Sequence, residues 1–151
     1  MEVLRCHAPP RLSAAVLSTL LNRWCTERRF QREGPCLFGC VDQADSIEHY
    51  LACRVFRTFT RTFLGSCSPA LEDREWHLLA HEALDSPGKI VKVAIGLYAA
   101  YRTTERLRRL PPHQRAALSQ DEISRMLQQA AREGVRGHAR AIALMEGSAP
   151  A

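Results

Sequence analysis

The stretch PCLFGCVDQADSIEHYLAC, residues 35–53, decides how this chain is read, because it gathers Cys36, Cys40, His49 and Cys53 into the spacing C-x3-C-x8-H-x3-C. Asp45 or Ser46 is placed to cap a helix that carries Ile47, Tyr50, Leu51, Val55, Phe59 and Phe63 on its apolar side. On such a helix His49 and Cys53 project from one face, one turn apart, and the preceding loop brings Cys36 and Cys40 to meet them. Three thiolates and one imidazole form the closed, four-coordinate Cys3His set that suits structural Zn2+ and leaves no open position for a water. Because residues 34–45 offer little apolar surface, the ion supplies much of the loop's ordering energy, on the order of 10 kcal/mol in isolated fingers. The alternative is that the cysteines are small buried hydrophobes and His49 an ordinary helix residue.

Outside this segment the chain has the makings of a packed protein. Its 151 residues suffice for one ordinary domain, or for a small metal module leaning on a helical one. A hydrophobic share of 46% and a charged share of 25% match globular averages, which argues against wholesale disorder. No apolar run approaches the roughly 20 residues of a membrane helix. The opening MEVLRCHAPP lacks the pattern of a signal peptide, so the expected location is intracellular, nucleus or cytoplasm. There thiols stay reduced, which turns six cysteines toward metal binding and away from disulfides.

Helical periodicity recurs along the chain. SAAVLSTLLNRWCTERRF, with Ser13 as N-cap and Val16, Leu17, Leu20, Leu21 and Trp24 as an apolar face, predicts a helix that contains Cys25. ALEDREWHLLAHEAL, residues 70–84, predicts a short one, and KIVKVAIGLYAAYRTTERLRRL a long one lined by Ile90, Val93, Leu97 and Tyr101, with arginines where the helix dipole favours cations. A last helix begins at a Ser119–Glu122 capping box and runs toward Met145, with weak points at Gly134 and Gly137. No segment reads as a strand. The predicted fold is all-α: a helical bundle with one irregular zinc-knuckle loop. It divides into a flexible start over 1–10, a zinc-binding helical module over 11–66, a helical C-terminal region over 67–146 and a disordered tail over 147–151.

The net charge of +5, almost all of it arginine, suits a polyanionic partner. A GC-rich coding sequence produces the same bias. Arg54, Arg57 and Arg61 follow Cys53 at i, i+3 and i+7, while Arg28, Arg29 and Arg32 approach the loop from the other side. Phosphate contact by these six would be salt-sensitive and largely sequence-independent; the competing account is a solvated helix face. Phe38, between the first two cysteines, is a candidate for stacking on a base, or else it packs beneath the metal. His77 and His81 share a helix face, but the glutamate beside the first histidine of a metalloprotease helix is missing, and surface histidines are the simpler account. Neither a phosphate-binding glycine loop nor a nucleophile elbow occurs, so no enzymatic activity is expected.

RWCTERRFQREGPCLFGCVDQADSIEHYLACRVFRTF resembles the zinc-binding segment that follows the polymerase domain in reverse transcriptases of non-LTR (LINE-like) retrotransposons. Cys36 and Cys40 match that family's cysteine pair, Glu48 and His49 its acidic-histidine step, and Cys53 its last ligand, although the histidine-to-cysteine gap there is often one residue longer. AIGLYAAYRTTERLRR looks like the helical tail behind the knuckle in some such elements. The polymerase's own carboxylate pair and the endonuclease residues have no counterpart here. The resemblance implies a non-catalytic module that handles RNA or DNA with low sequence specificity, alongside the polymerase part of a parent retroelement protein. Two alternatives stand beside it: a zinc-stapled structural or protein-interaction domain, and a decayed retroelement reading frame without selected function.

Overall fold

The computed structural model describes residues 2–65 and 87–146, and all of its regular elements are helical. In chain order these are α1 (Glu2–His7), α2 (Pro10–Leu20), a 3-10 turn η1 (Arg28–Phe30), α3 (Ile47–Ala52), α4 (Arg54–Phe63), α5 (Pro87–Arg109), α6 (Pro112–Ala116), α7 (Gln120–Val135) and α8 (Ala139–Glu146). A single isolated bridge, Pro35 with Ala44, is the nearest approach to a strand among the described residues. The all-α expectation therefore holds. The helix expected over 70–84, with His77 and His81, lies outside the described residues, as do Cys67 and the tail from residue 147.

α5 is the axis of the molecule. Val91, Ala94, Ile95, Leu97, Ala99, Ala100 and Leu107 are all buried, so it is covered on more than one face, and α1, α2, α7 and α8 supply the cover. Each leucine- or isoleucine-sized side chain buried this way contributes about 1.5–3 kcal/mol. Small residues allow the close crossings. A Cβ on Gly134 of α7 would lie 2.7 Å from the Tyr98 ring of α5 and 3.2 Å from Leu12 of α2, so glycine alone fits there. Arg11 of α2 donates from Nε to the Gly134 carbonyl at 2.8 Å and from Nη2 to the Arg136 carbonyl, placing a cation on the negative end of α7. The Ser119–Glu122 capping box forms as predicted, with both reciprocal bonds present. The helix it opens stops at Val135, and Gly137 (φ 77°) turns the chain into α8.

Several boundaries differ from expectation, each for a local reason. The start of the chain, expected to be flexible, carries α1, whose Leu4 is buried, and Ala8 just beyond it is buried too. Ser13 lies inside α2. The cap position is Pro9, and Pro10 opens the helix where a missing N–H costs nothing. α2 ends at Leu20, so Trp24 and Cys25 fall in irregular chain. The buried side of α2 is Leu12, Ala15, Val16 and Thr19; Leu17, Leu20 and Leu21, expected to face inward, are exposed, and so is Cys25. Trp24 is fully buried in spite of its irregular backbone. Its Nε1 donates to Thr19 Oγ1 at 3.1 Å, and its ring lies 5.7 Å from Tyr50 and 5.9 Å from Tyr101. The metal-loop segment and the long helix thus share one core through three aromatic rings.

Candidate metal centre

The loop from Gly34 to Asp45 is held by its own backbone. Cys36 N–H donates to the Gln43 carbonyl at 2.7 Å and Asp45 N–H to the Gly34 carbonyl at 2.8 Å, closing a narrow two-sided loop. At its turn Gly39 adopts φ 77°, which lets its N–H reach the Cys36 carbonyl at 3.1 Å. Phe38 N–H points at Cys36 Sγ at 3.4 Å. Ser46 then caps α3, accepting from His49 N–H at 3.1 Å, and so fixes the histidine in the first turn.

The expected helix from Ser46 to Phe63 is in fact two. Cys53 has φ −58° and ψ 127°, which ends α3 and starts α4. Cys53 itself, with a helical φ and its N–H on the Tyr50 carbonyl at 3.3 Å, still completes the last turn of α3 one turn beyond His49, and the break redirects only the chain that follows it. The donor atoms of Cys36, Cys40, His49 and Cys53 all lie within 4.8 Å of one another, with Cys40 and Cys53 Sγ 3.4 Å apart. Tetrahedral ligands on an ion with 2.0–2.3 Å bonds stand about 3.3–3.8 Å from each other, so the group is already close to that arrangement.

Two electrostatic features fit a cation at this point. His49 Nε2 is buried and has no hydrogen-bond partner among the described residues, a costly state for an imidazole nitrogen unless an ion takes it. The Cys36 thiol is lowered to about 5, chiefly by the hydrogen bond from Cys53. Cys53 is correspondingly pushed far up by that bond and by burial, and burial raises Cys40. Only one of the three sulfurs carries charge easily without a cation; a metal stabilises all three thiolates at once. The residues thus form a Cys3His group able to hold a metal ion. Cys36 and Cys53 are buried, while Cys40 and His49 are half-buried and line an open groove with Val41, Gln43 and Arg54.

Beneath the loop sits a polar hub that sequence reasoning treated only as a possible cap. Asp45, 1% exposed, accepts from Tyr50 Oη at 2.6 Å, from Glu27 N–H at 3.0 Å and from Arg108 Nη2 at 2.8 and 3.0 Å. Tyr50 Oη in turn accepts from Leu37 N–H at 3.3 Å. One carboxylate thereby ties the metal loop, η1, α3 and the last turns of α5 together. A carboxylate beside a residue that already suffices as cap was the available signal; Arg108, far away in sequence, gave none.

The candidate nucleic-acid residues divide. Arg28, Arg29, Arg32, Arg54 and Arg61 are exposed and make no ion pair among the described residues, in contrast to Arg106 and Arg108, which are paired with Glu133 and Asp45. Arg57 is half-buried and already engaged. Phe38 is fully buried with its ring 5.0 Å from Tyr50, so it supports the metal loop from below and offers no face to a base. Arg28 and Arg32 line a shallow groove with Glu33, Asp42 and Gln43; Gln43 also lines the groove beside Cys40 and Arg54, so the two depressions adjoin. No helix among the described residues is long and apolar enough to cross a membrane. Set against known proteins, the chain matches no family model, no curated protein and no solved structure.

Proposed function

We propose that this chain is a non-catalytic module in which Zn2+ on Cys36, Cys40, His49 and Cys53 staples the loop to the helices, and that the module binds RNA or DNA with low sequence specificity. The observation that carries the reading is the convergence of the four donor atoms, with His49 Nε2 unpartnered among the described residues. Thiolates with one imidazole favour zinc over harder ions, and four protein ligands leave no site for an activated water. Arg28 and Arg32 in one groove beside the loop and Arg54 in the other are exposed and make no ion pair among the described residues; with the exposed Arg61 further along α4 they supply phosphate contacts. The resemblance of residues 23–59 to the knuckle behind LINE-like reverse transcriptases points the same way: to a piece of such an element, acting with its polymerase in nucleus or cytoplasm, where thiols stay reduced.

The exposed Leu17, Leu20 and Leu21 of α2 favour a second reading, a zinc-stapled protein-interaction domain. One experiment separates the two. Elemental analysis of protein purified without added metal should give one zinc per chain, and titration with labelled oligonucleotides should show binding that falls steeply with salt. Zinc without oligonucleotide binding at low salt favours the interaction domain; absence of zinc removes the basis of both.

A further inference from the structure

Of the five phenylalanines, Phe38, Phe56 and Phe59 are buried and Phe63 is half-buried, whereas Phe30 is 54% exposed. It sits at the end of η1, between Arg28, Arg29 and Arg32, with the Arg29 guanidinium 5.9 Å from its ring centre. An exposed aromatic among arginines that make no ion pair within the described residues has a definite chemistry. A ring exposed this far can receive a base, the Arg29 guanidinium over it forming one layer of the stack, and the neighbouring charges meet the phosphates on either side. Bases expose such faces only when the strand is single; in a duplex they are covered by their neighbours.

The turn that presents Phe30 is built in advance. Arg28 N–H donates to the Asp45 carbonyl at 3.3 Å, Glu27 N–H to the Asp45 carboxylate at 3.0 Å and Arg29 N–H to Thr26 Oγ1 at 3.2 Å. Gln31, in the left-handed region at φ 56°, then closes it. Little order has to be gained on binding, because the turn hangs from the same Asp45 that anchors the metal loop.

We infer that Phe30 is the base-stacking residue of this surface, and that its preferred partner is single-stranded nucleic acid running from the Arg28–Arg32 groove past Gln43 toward Arg54. The inference rests on the nucleic-acid reading above and assigns to Phe30 the role that Phe38, being buried, does not fill.

The test is fluorescence anisotropy of the full zinc-loaded chain with a labelled single strand of about ten nucleotides and a duplex of the same length. Three proteins are compared: parent, Phe30→Leu and Phe30→Tyr. Leucine keeps apolar bulk without a flat face, and tyrosine keeps the face. Phe30→Leu should weaken single-strand binding about tenfold and leave duplex binding within about twofold, while Phe30→Tyr stays near the parent. Equal single-strand affinity of Phe30→Leu and parent, or an equal loss on single strand and duplex, overturns the inference. An Arg28→Gln, Arg32→Gln double variant keeps the two claims apart. If it loses binding while Phe30→Leu does not, the nucleic-acid reading survives and the stacking role falls; if the parent binds neither probe, both fall.

Discussion

Replacing Asp45 by asparagine removes one negative charge from a site that is 1% exposed and receives donors from Tyr50, Glu27 and Arg108. Asparagine has nearly the same shape, but only one of its two terminal atoms can accept, so at least one donor now faces an amide N–H. Removing one partner of a buried ion pair costs about 3–5 kcal/mol, because the remaining charge stays desolvated. The Arg108 side chain retains 17% exposure and recovers some hydration, which places the loss at the lower end, about 3 kcal/mol. For a chain of this length that corresponds to a fall in Tm of about 6–12 °C. The assay is thermal unfolding of the zinc-loaded protein followed by circular dichroism, in a cycle of Asp45→Asn, Arg108→Gln and the double variant. The double variant should lose much less than the sum of the singles, since each single change breaks the same contact. Additive losses, or a shift for Asp45→Asn inside the surface-substitution range of about 0.5 kcal/mol, would refute the claim that this carboxylate joins loop and bundle.

Other substitutions probe the remaining links. Cys40→Ala or His49→Ala should abolish stoichiometric zinc and lower helix content through loss of α3 and its loop; zinc content equal to the parent's would eliminate the site. Chelation of the parent should reproduce that loss of circular dichroism, and added zinc should restore it. Arg54→Gln with Arg61→Gln should reduce the slope of log affinity against log salt by about 1–2, roughly one for each phosphate contact removed, and an unchanged slope would take α4 out of the interface. Gly134→Ala places a methyl 2.7 Å from the Tyr98 ring, so the gain in helix propensity is outweighed by overpacking of about 1–3 kcal/mol. A Tm at or above the parent's would mean that α5 and α7 part more easily than their packing implies.

The group able to hold a metal was legible because its members are local: one short segment holds all four residues, with a capping residue that sets the phase of α3. The capping box of α7 and the length of α5 were legible for the same reason, since caps and apolar periodicity are properties of neighbours in sequence. The features that escaped depend on partners far along the chain. The end of α2 at Leu20 follows from Trp24, which leaves the helix to reach Tyr50 and Tyr101. Phe38 reads as either stacking on a base or packing beneath the loop until Tyr50 decides for packing, and Asp45 reads as a cap until Arg108 arrives from α5. Even α1, too short to be called by periodicity, exists because Leu4 and its neighbour Ala8 find a buried place beside α5.

The break at Cys53 bears on how this centre tolerates change in length. Within an unbroken helix each added residue rotates the downstream residues by about 100°, so one insertion between the two ligands would carry the cysteine sulfur around to the wrong side. Here the cysteine stands at a joint where the backbone leaves helical geometry, and α4 restarts immediately after it with Arg57 N–H on the Cys53 carbonyl at 2.8 Å. An extra residue between His49 and Cys53 lies upstream of that joint and is felt at the sulfur; only changes of length after Cys53 are taken up there, because α4 restarts with its own phase. A search for related sequences should accordingly hold rigid the Ser46-to-His49 interval, which a cap fixes, and the gap from histidine to last cysteine, which α3 spans, while letting the chain after Cys53 vary.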